Sequence, residues 1–212
     1  MRLTHPKMFL IVGAVVALAL FAGLAYTYKI WPFRERGEIE AGEVCSSLGP
    51  SSSVVNALTK VLPEEPSYSF DENASLRVNV TDTHYESSCF VSGGDKQLLV
   101  MKARLMQDEP AKSWTQWVKG TAANEESTKS LIPFTAGDKA VASSRFAAIF
   151  VPCTSPGKAP GGQYNLSVST ELKQAGNSND DAVRDELIKL TRTASLYTHA
   201  KAKCDMPPKV DE

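Results

Sequence analysis

The sequence predicts an α+β protein. A transmembrane helix near the N-terminus precedes one extracytoplasmic domain, built on a mainly antiparallel sheet with two to three flanking helices and two disulfides. Three observations predict this. Met8 to Tyr28 is an uncharged run of 21 residues between Lys7 and Lys29. All four cysteines, Cys45, Cys89, Cys153 and Cys204, lie beyond that run at separations of 44, 64 and 51 residues. Between them, segments of period two are flanked by segments of helical period.

The apolar run reaches about 30 Å as a helix, the thickness of a bilayer's hydrocarbon core. Tyr26, Tyr28 and Trp31 follow it where an aromatic belt would sit. The rival reading is a secretory signal cut ahead of Tyr26, after the small residues Gly23 and Ala25. A signal's apolar region is about 7–15 residues, shorter than this one, and the comparison favours an anchor. Cys45 is too distant to be a lipoprotein cysteine. Basic residues are nearly balanced across the run, with Arg2 and Lys7 before it and Lys29, Arg34 and Arg36 after. Cysteine usage decides the orientation. An even number without a close-spaced pair fits two disulfides, which persist in an oxidising compartment. The expected organisation is a cytoplasmic tail (1–7), a transmembrane helix (8–28), a stalk (29–44) containing Pro32, Gly37 and Gly42, an extracytoplasmic domain (45–204) and a disordered tail (205–212).

Within the domain, Val54, Val55, Leu58, Val61 and Leu62 form one stripe, predicting a helix over 52–62 stopped by Pro63. Leu76, Val78 and Val80 alternate with Arg77 and Asn79, predicting a half-buried strand. A second strand spans 84–91 and carries Cys89, Gly93-Gly94-Asp95 marks a turn, and 97–106 is apolar on both faces, as a central strand would be. Residues 108–119 predict a helix with Trp114, Trp117 and Val118 on one side and Gly120 as its stop, and 124–129 predict a polar loop. Strand signal returns from Ala140 to Cys153, and a Pro- and Gly-rich loop (156–162) follows. Tyr164, Leu166, Val168, Thr170 and Leu172 then alternate with Asn165, Ser167, Ser169 and Glu171. The closing helix spans 180–203, with Val183, Leu187, Leu190, Ala194 and Tyr197 as its buried stripe. The two halves are faintly alike, each pairing a cysteine-bearing strand with a Gly-containing loop and an alternating strand.

This layout pairs Cys45 with Cys89 and Cys153 with Cys204, one of three connectivities open to four cysteines. The spacing lacks the short pairs of a zinc site, so no metal is expected. From Lys29 onward, 21 basic residues stand against 24 acidic ones, a net charge of −3 without a like-charged block, and a nucleic-acid partner is not expected. Only His84 and His199 lie in the domain, and neither G-x-S-x-G nor H-E-x-x-H occurs, so no catalytic residue and no cofactor is assigned. Gly157-Lys158 lacks the other residues of a phosphate loop. Trp114 and Trp117 are the candidates for a ligand-stacking platform, against the alternative of a core-facing helical pair. Asn73, Asn79 and Asn165 head Asn-X-Ser/Thr triplets.

The anchor, the four cysteines, the strand ending Phe150-Val-Pro-Cys153 and the terminal helix reaching Cys204 together resemble a class of actinobacterial single-pass envelope proteins. The outline is also similar to the extracytoplasmic sensor domains of some actinobacterial serine/threonine kinases. That resemblance implies a sensor-like domain whose output, without a kinase domain in the sequence, needs a partner. The expected function is a membrane-anchored binding, sensor or protein-interaction module without catalytic activity, with the lipid bilayer and an envelope protein or ligand as partners. The alternatives are a cell-envelope hydrolase with an unrecognised site and a structural subunit of an envelope complex.

Overall fold

The computed structural model describes residues 15–24, 36–49, 52–75, 77, 79, 81–107, 111–122 and 124–210. They fall into two units divided between Gly37 and Glu38. In the first, residues 15–24 are helical, and Val15, Val16, Leu18, Leu20, Phe21 and Leu24 are exposed. Among the described residues no helix is long and apolar enough to cross a membrane. The expected tail (1–7), the remainder of the 8–28 span and the first part of the stalk lie outside the described residues.

The second unit is α+β. It contains α1 (Ser52–Val61), β1 (Tyr68–Ser75), β2 (Glu86–Gly93), β3 (Lys96–Gln107), α2 (Ala111–Trp117), α3 (Glu125–Thr128), β4 (Ile132–Pro133), β5 (Lys139–Ala142), β6 (Phe146–Ala159), β7 (Gly162–Leu172) and α4 (Asp180–Lys201). A 3-10 turn (Ser46–Leu48) precedes α1, and a π-helical turn (Val118–Ala122) continues α2. The strands form one sheet in the order β1-β2-β3-β7-β6-β5-β4. Every neighbouring pair is antiparallel. Two meanders, β1–β3 and β4–β7, therefore meet at the sheet's centre, where β3 pairs with β7 from Leu99↔Leu172 to Gln107↔Tyr164.

The inner face of the sheet buries its alternate residues under α1 and α4. Val54, Ala57, Leu58 and Val61 of α1 join Val183, Leu187, Leu190 and Ala194 of α4 over Cys89, Val91, Met101, Ile149, Leu166 and Val168. α4 starts cleanly because the Asn179 side chain accepts from the Ala182 N–H at 2.9 Å. Asp180 and Asp181 open it and His199 and Lys201 close it, each sign matched to the helix dipole. The disulfides Cys45–Cys89 and Cys153–Cys204 both form. The first holds the 3-10 turn to β2, and the second holds the end of α4 to β6.

On the outer face, among the described residues, Trp114 and Val118 cover the β5–β7 half by packing on Val141, Phe146, Ala148 and Phe150. α3 is fastened there by Glu171 Oε1, which accepts from Asn124 Nδ2 at 2.8 Å and Ser127 Oγ at 3.1 Å. Lys173 supplies the counter-charge to Glu171 at 2.6 Å.

The differences from expectation have local causes. Arg77 and Asn79 are not in a strand, and Arg77 is buried (2% exposed) rather than solvent-facing; residues 76, 78 and 80 lie outside the described residues. The first strand is instead Tyr68–Ser75, whose Asp71, Glu72 and Asn73 give it little strand propensity of its own. Gly120 does not stop a helix, because the chain widens into the π-helical turn that runs through it. The expected loop at 124–129 holds the short helix α3, capped by Asn124 accepting from the Ser127 N–H at 2.8 Å. The strand expected from Ala140 to Cys153 is two, β5 and β6, split at 143–145, and β6 continues through the Pro- and Gly-rich stretch to Ala159.

Asn165 and Ser167 of β7 are buried as fully as the inner row; Trp114 of α2 lies against Ser167, and Asn165 donates to Asp138 Oδ2 at 3.3 Å. At the start of the unit, Ile39 packs against the core and Val44 is buried, so the end of the expected stalk belongs to the folded body. The expected disordered tail is held through residue 210. Asp205 and Met206 donate to the Cys153 carbonyl, Gly137 donates to the Lys209 carbonyl, and Val210 is buried.

Candidate functional site: a polar trough on the open sheet face

The other half of the outer face belongs to β1, β2 and β3. Strand alternation sends one row of each strand outward, and the register aligns the rows. Asn73, Ser88 and Lys102 stand abreast, and Ser75, Glu86 and Arg104 stand beside them. The inward partners on β2 and β3, Cys89, Met101 and Ala103, are in the core. Ser88, in the middle strand, is short, whereas Lys102 and Arg104 are long. The result is a trough of about 470 Å³ whose lining includes all six outward residues.

Its electrostatics are mixed. Lys102 and Arg104 are exposed on one bank, and Glu86 is exposed on the floor. Lys102 makes no ion pair among the described residues. The Arg104 guanidinium lies over the Trp117 ring, 5.5 Å from its centroid, which orients it at the edge of the trough. Ammonium, guanidinium, amide and hydroxyl donors thus face a carboxylate acceptor across one concave surface. The groups that line it can hydrogen-bond and pair with charge.

The structure separates the two tryptophans. Trp114 is fully buried, stacks on Phe150 with ring centroids 5.2 Å apart, and donates from Nε1 to Ser167 Oγ at 3.0 Å. It is a core residue and offers no platform. Trp117 is half-buried and reaches the trough only through Arg104. The histidines occupy different settings. His84 is exposed in a shallow hollow with Thr81, Asp82, Thr83 and Pro160. The His199 ring meets the Met206 carbonyl at 2.8 Å, and burial lowers its pKa. Among the described residues no group of three or more histidines, cysteines or carboxylates could hold a metal ion.

Of the Asn-X-Ser/Thr triplets, Asn73 lies on the trough bank, Asn79 accepts from the Thr81 N–H at 2.9 Å within a turn, and Asn165 is buried. Sequence reasoning missed the trough residues. The signal present was the alternation of Lys102 and Arg104 with Met101, Ala103 and Leu105. Nothing local aligned them with Ser88 and Asn73. No protein-family model, no curated protein and no solved structure matches this chain.

Proposed function

We propose that this chain is a membrane-tethered, non-enzymatic binding module. On this reading, the N-terminal apolar helix anchors it with the N-terminus in the cytoplasm, and the disulfide-bonded body stands outside, where its open sheet face meets an envelope ligand or protein. The observation that carries the binding reading is the trough: a charged, concave stretch of the outer sheet face that stands open among the described residues. Two supports bear on location. The 8–28 run is long enough for a bilayer, and the apolar side chains of its described part are exposed. All four cysteines are in disulfides, the state an oxidising exterior maintains.

The experiment places a photo-crosslinking residue at Ser88 of the full-length chain in intact cells, with a second at Leu196, an exposed position on α4, as control. The expected result is a discrete adduct from position 88, none from position 196, and loss of that adduct in a Lys102→Glu, Arg104→Glu background. Equal labelling from both sites, or turnover of envelope substrates that disappears in His84→Ala or His199→Ala, overturns the reading.

A further inference from the structure

The two disulfides are built differently. Cys45 and Cys89 are both in the core, at 4% and 0% exposure. Cys153 is equally enclosed at 0%, but Cys204, three residues beyond the end of α4, keeps part of its surface in solvent. The buried sulfur of this second pair also touches a cation. Arg77 Nη1 lies 3.6 Å from Cys153 Sγ and donates to the Ala202 carbonyl at 2.9 Å. Nη2 donates to Thr154 Oγ1 at 3.2 Å, and Nε donates to the Asp82 carbonyl at 2.8 Å. Asp82 and Asp205 are the acids that act on this guanidinium, Lys158 acts on Asp205, and His199 sits on the last turn of α4.

We propose that Cys153–Cys204 is a thiol–disulfide exchange site for a small thiolate, attacked at Cys204 and opened by departure of Cys153. The thiolate forms a bond to Cys204 Sγ, the Cys153–Cys204 bond breaks, and its electron pair leaves on Cys153 as a thiolate beside Arg77. A second thiolate then attacks the external sulfur of the mixed disulfide, which yields the small disulfide and frees Cys204. Two thiols are oxidised and one protein disulfide is reduced. Direction is set by two features. Cys204 is the residue of the pair that keeps surface in solvent, and exchange is faster when the departing sulfur is the better-stabilised anion. A guanidinium held against Cys153 supplies that stabilisation.

The exchange is also reversible by construction. Asp205 and Met206 donate to the Cys153 carbonyl at 2.8 and 3.2 Å, and Ser155 donates to the Asp205 carboxylate from its N–H at 2.9 Å and from its hydroxyl. These bonds survive loss of the sulfur link and keep the two thiols adjacent, which raises their effective concentration for reclosure. This inference is independent of the binding module proposed above.

The test incubates the full-length chain in detergent micelles with graded glutathione, traps thiols with iodoacetamide and maps the peptides. The expected result is that Cys153 and Cys204 are labelled at glutathione concentrations at least about tenfold below those that label Cys45 and Cys89. The glutathione adduct is expected on Cys204, and the pH midpoint for Cys153 alkylation is expected below the ordinary thiol value of about 8.5. Arg77→Lys is expected to keep that midpoint low and Arg77→Met to raise it. If Arg77→Met does not fold, the wild-type adduct position and alkylation profile decide alone. Opening of both disulfides together, an adduct on Cys153, or a Cys153 midpoint at or above about 8.5 overturns the proposal.

Discussion

The indole nitrogen of Trp114 donates to Ser167 Oγ at 3.0 Å, so an outward residue of β7 anchors the helix that covers it. The ring is fully buried and stacked on Phe150. Trp114→Ala therefore removes a large core side chain and leaves Ser167 without its donor. The expected loss is about 3–5 kcal/mol, the range for truncating a buried aromatic. Trp117 is only half-buried, and its specific contact is the Arg104 guanidinium, so Trp117→Ala is expected to cost about 1–2 kcal/mol. Urea denaturation followed by far-UV circular dichroism checks both. Equal losses would show that the outer helix is not organised around Trp114.

The same pair shows what the sequence could and could not disclose. Alternation along β7 identified the inner row from Tyr164 to Leu172, because a strand's period is a local property. It did not show that Ser167 would be covered, since the cover comes from Trp114, 53 residues away. The apolar stripes of α1 and α4 were legible for the reason that β7 was. The strand β1 was not, because it is held by register with β2 (Glu72 opposite Cys89) rather than by its own composition. Alternation with Leu76, Val78 and Val80 puts Arg77 on a solvent face. Its burial depends on carbonyls and a sulfur supplied by residues as far away as Ala202. The trough was illegible for a related reason: it needs three strands in register before its six outward residues share a surface.

Gly137 has φ +57°, and a Cβ there would lie 2.3 Å from the Phe150 carbonyl oxygen and 2.9 Å from Ile149 Cγ2. Gly157 has φ +80° with nothing within 4 Å of the added atom. The two positions separate conformational cost from steric cost. Gly157→Ala is expected to lose about 1–2 kcal/mol, the left-handed penalty alone. Gly137→Ala is expected to lose more than that, because β6 backbone must also move. Thermal unfolding of the two variants side by side reads the difference. A smaller loss at Gly137 would mean that the segment it joins to β6 is not fixed there.

Acid should destabilise the protein in two stages. Burial lowers the His199 pKa, although bonds to the Met206 and Pro152 carbonyls act the other way. Burial raises the Glu72 carboxyl, but hydrogen bonds from Ser46 and Ser47 outweigh it and hold the group below its usual range. Glu186 follows the same pattern, with Lys60 and Lys189 outweighing burial. Asp205 is lowered chiefly by the Ser155 hydroxyl. A group whose folded pKa is depressed adds stability above its unfolded pKa and loses it as pH falls through the folded value. The expected curve starts to decline below about pH 6.5 through His199 and declines further below about pH 4.5 through the carboxylates. Tyr85 gives the opposite limb. Burial pushes it up to about 12, so its contribution is complete below about pH 10 and is lost as pH rises toward 12. Denaturation midpoints across pH check the curve. A stability that rises on acidification from pH 6.5 to 5 would contradict it.

If the trough is where a ligand sits, it can be closed by two unrelated changes with one consequence. Lys102→Glu reverses a charge on the bank, while Ser88→Trp leaves charge alone and fills the floor with an indole. Lys102 is exposed, and the Ser88 side chain points away from the core formed by Cys89 and Met101. Exposed substitutions of this kind usually change stability by no more than about 0.5 kcal/mol, and the bulkier Ser88→Trp is expected to stay within about 1 kcal/mol. Both variants should keep the wild-type urea midpoint closely and should abolish labelling from a photo-crosslinker at the neighbouring position Asn73. Loss in Lys102→Glu alone would indicate long-range attraction toward some other surface, because a ligand bound elsewhere would not meet the indole. Loss in both, with stability intact, requires the occupant to lie within the width of the three strands.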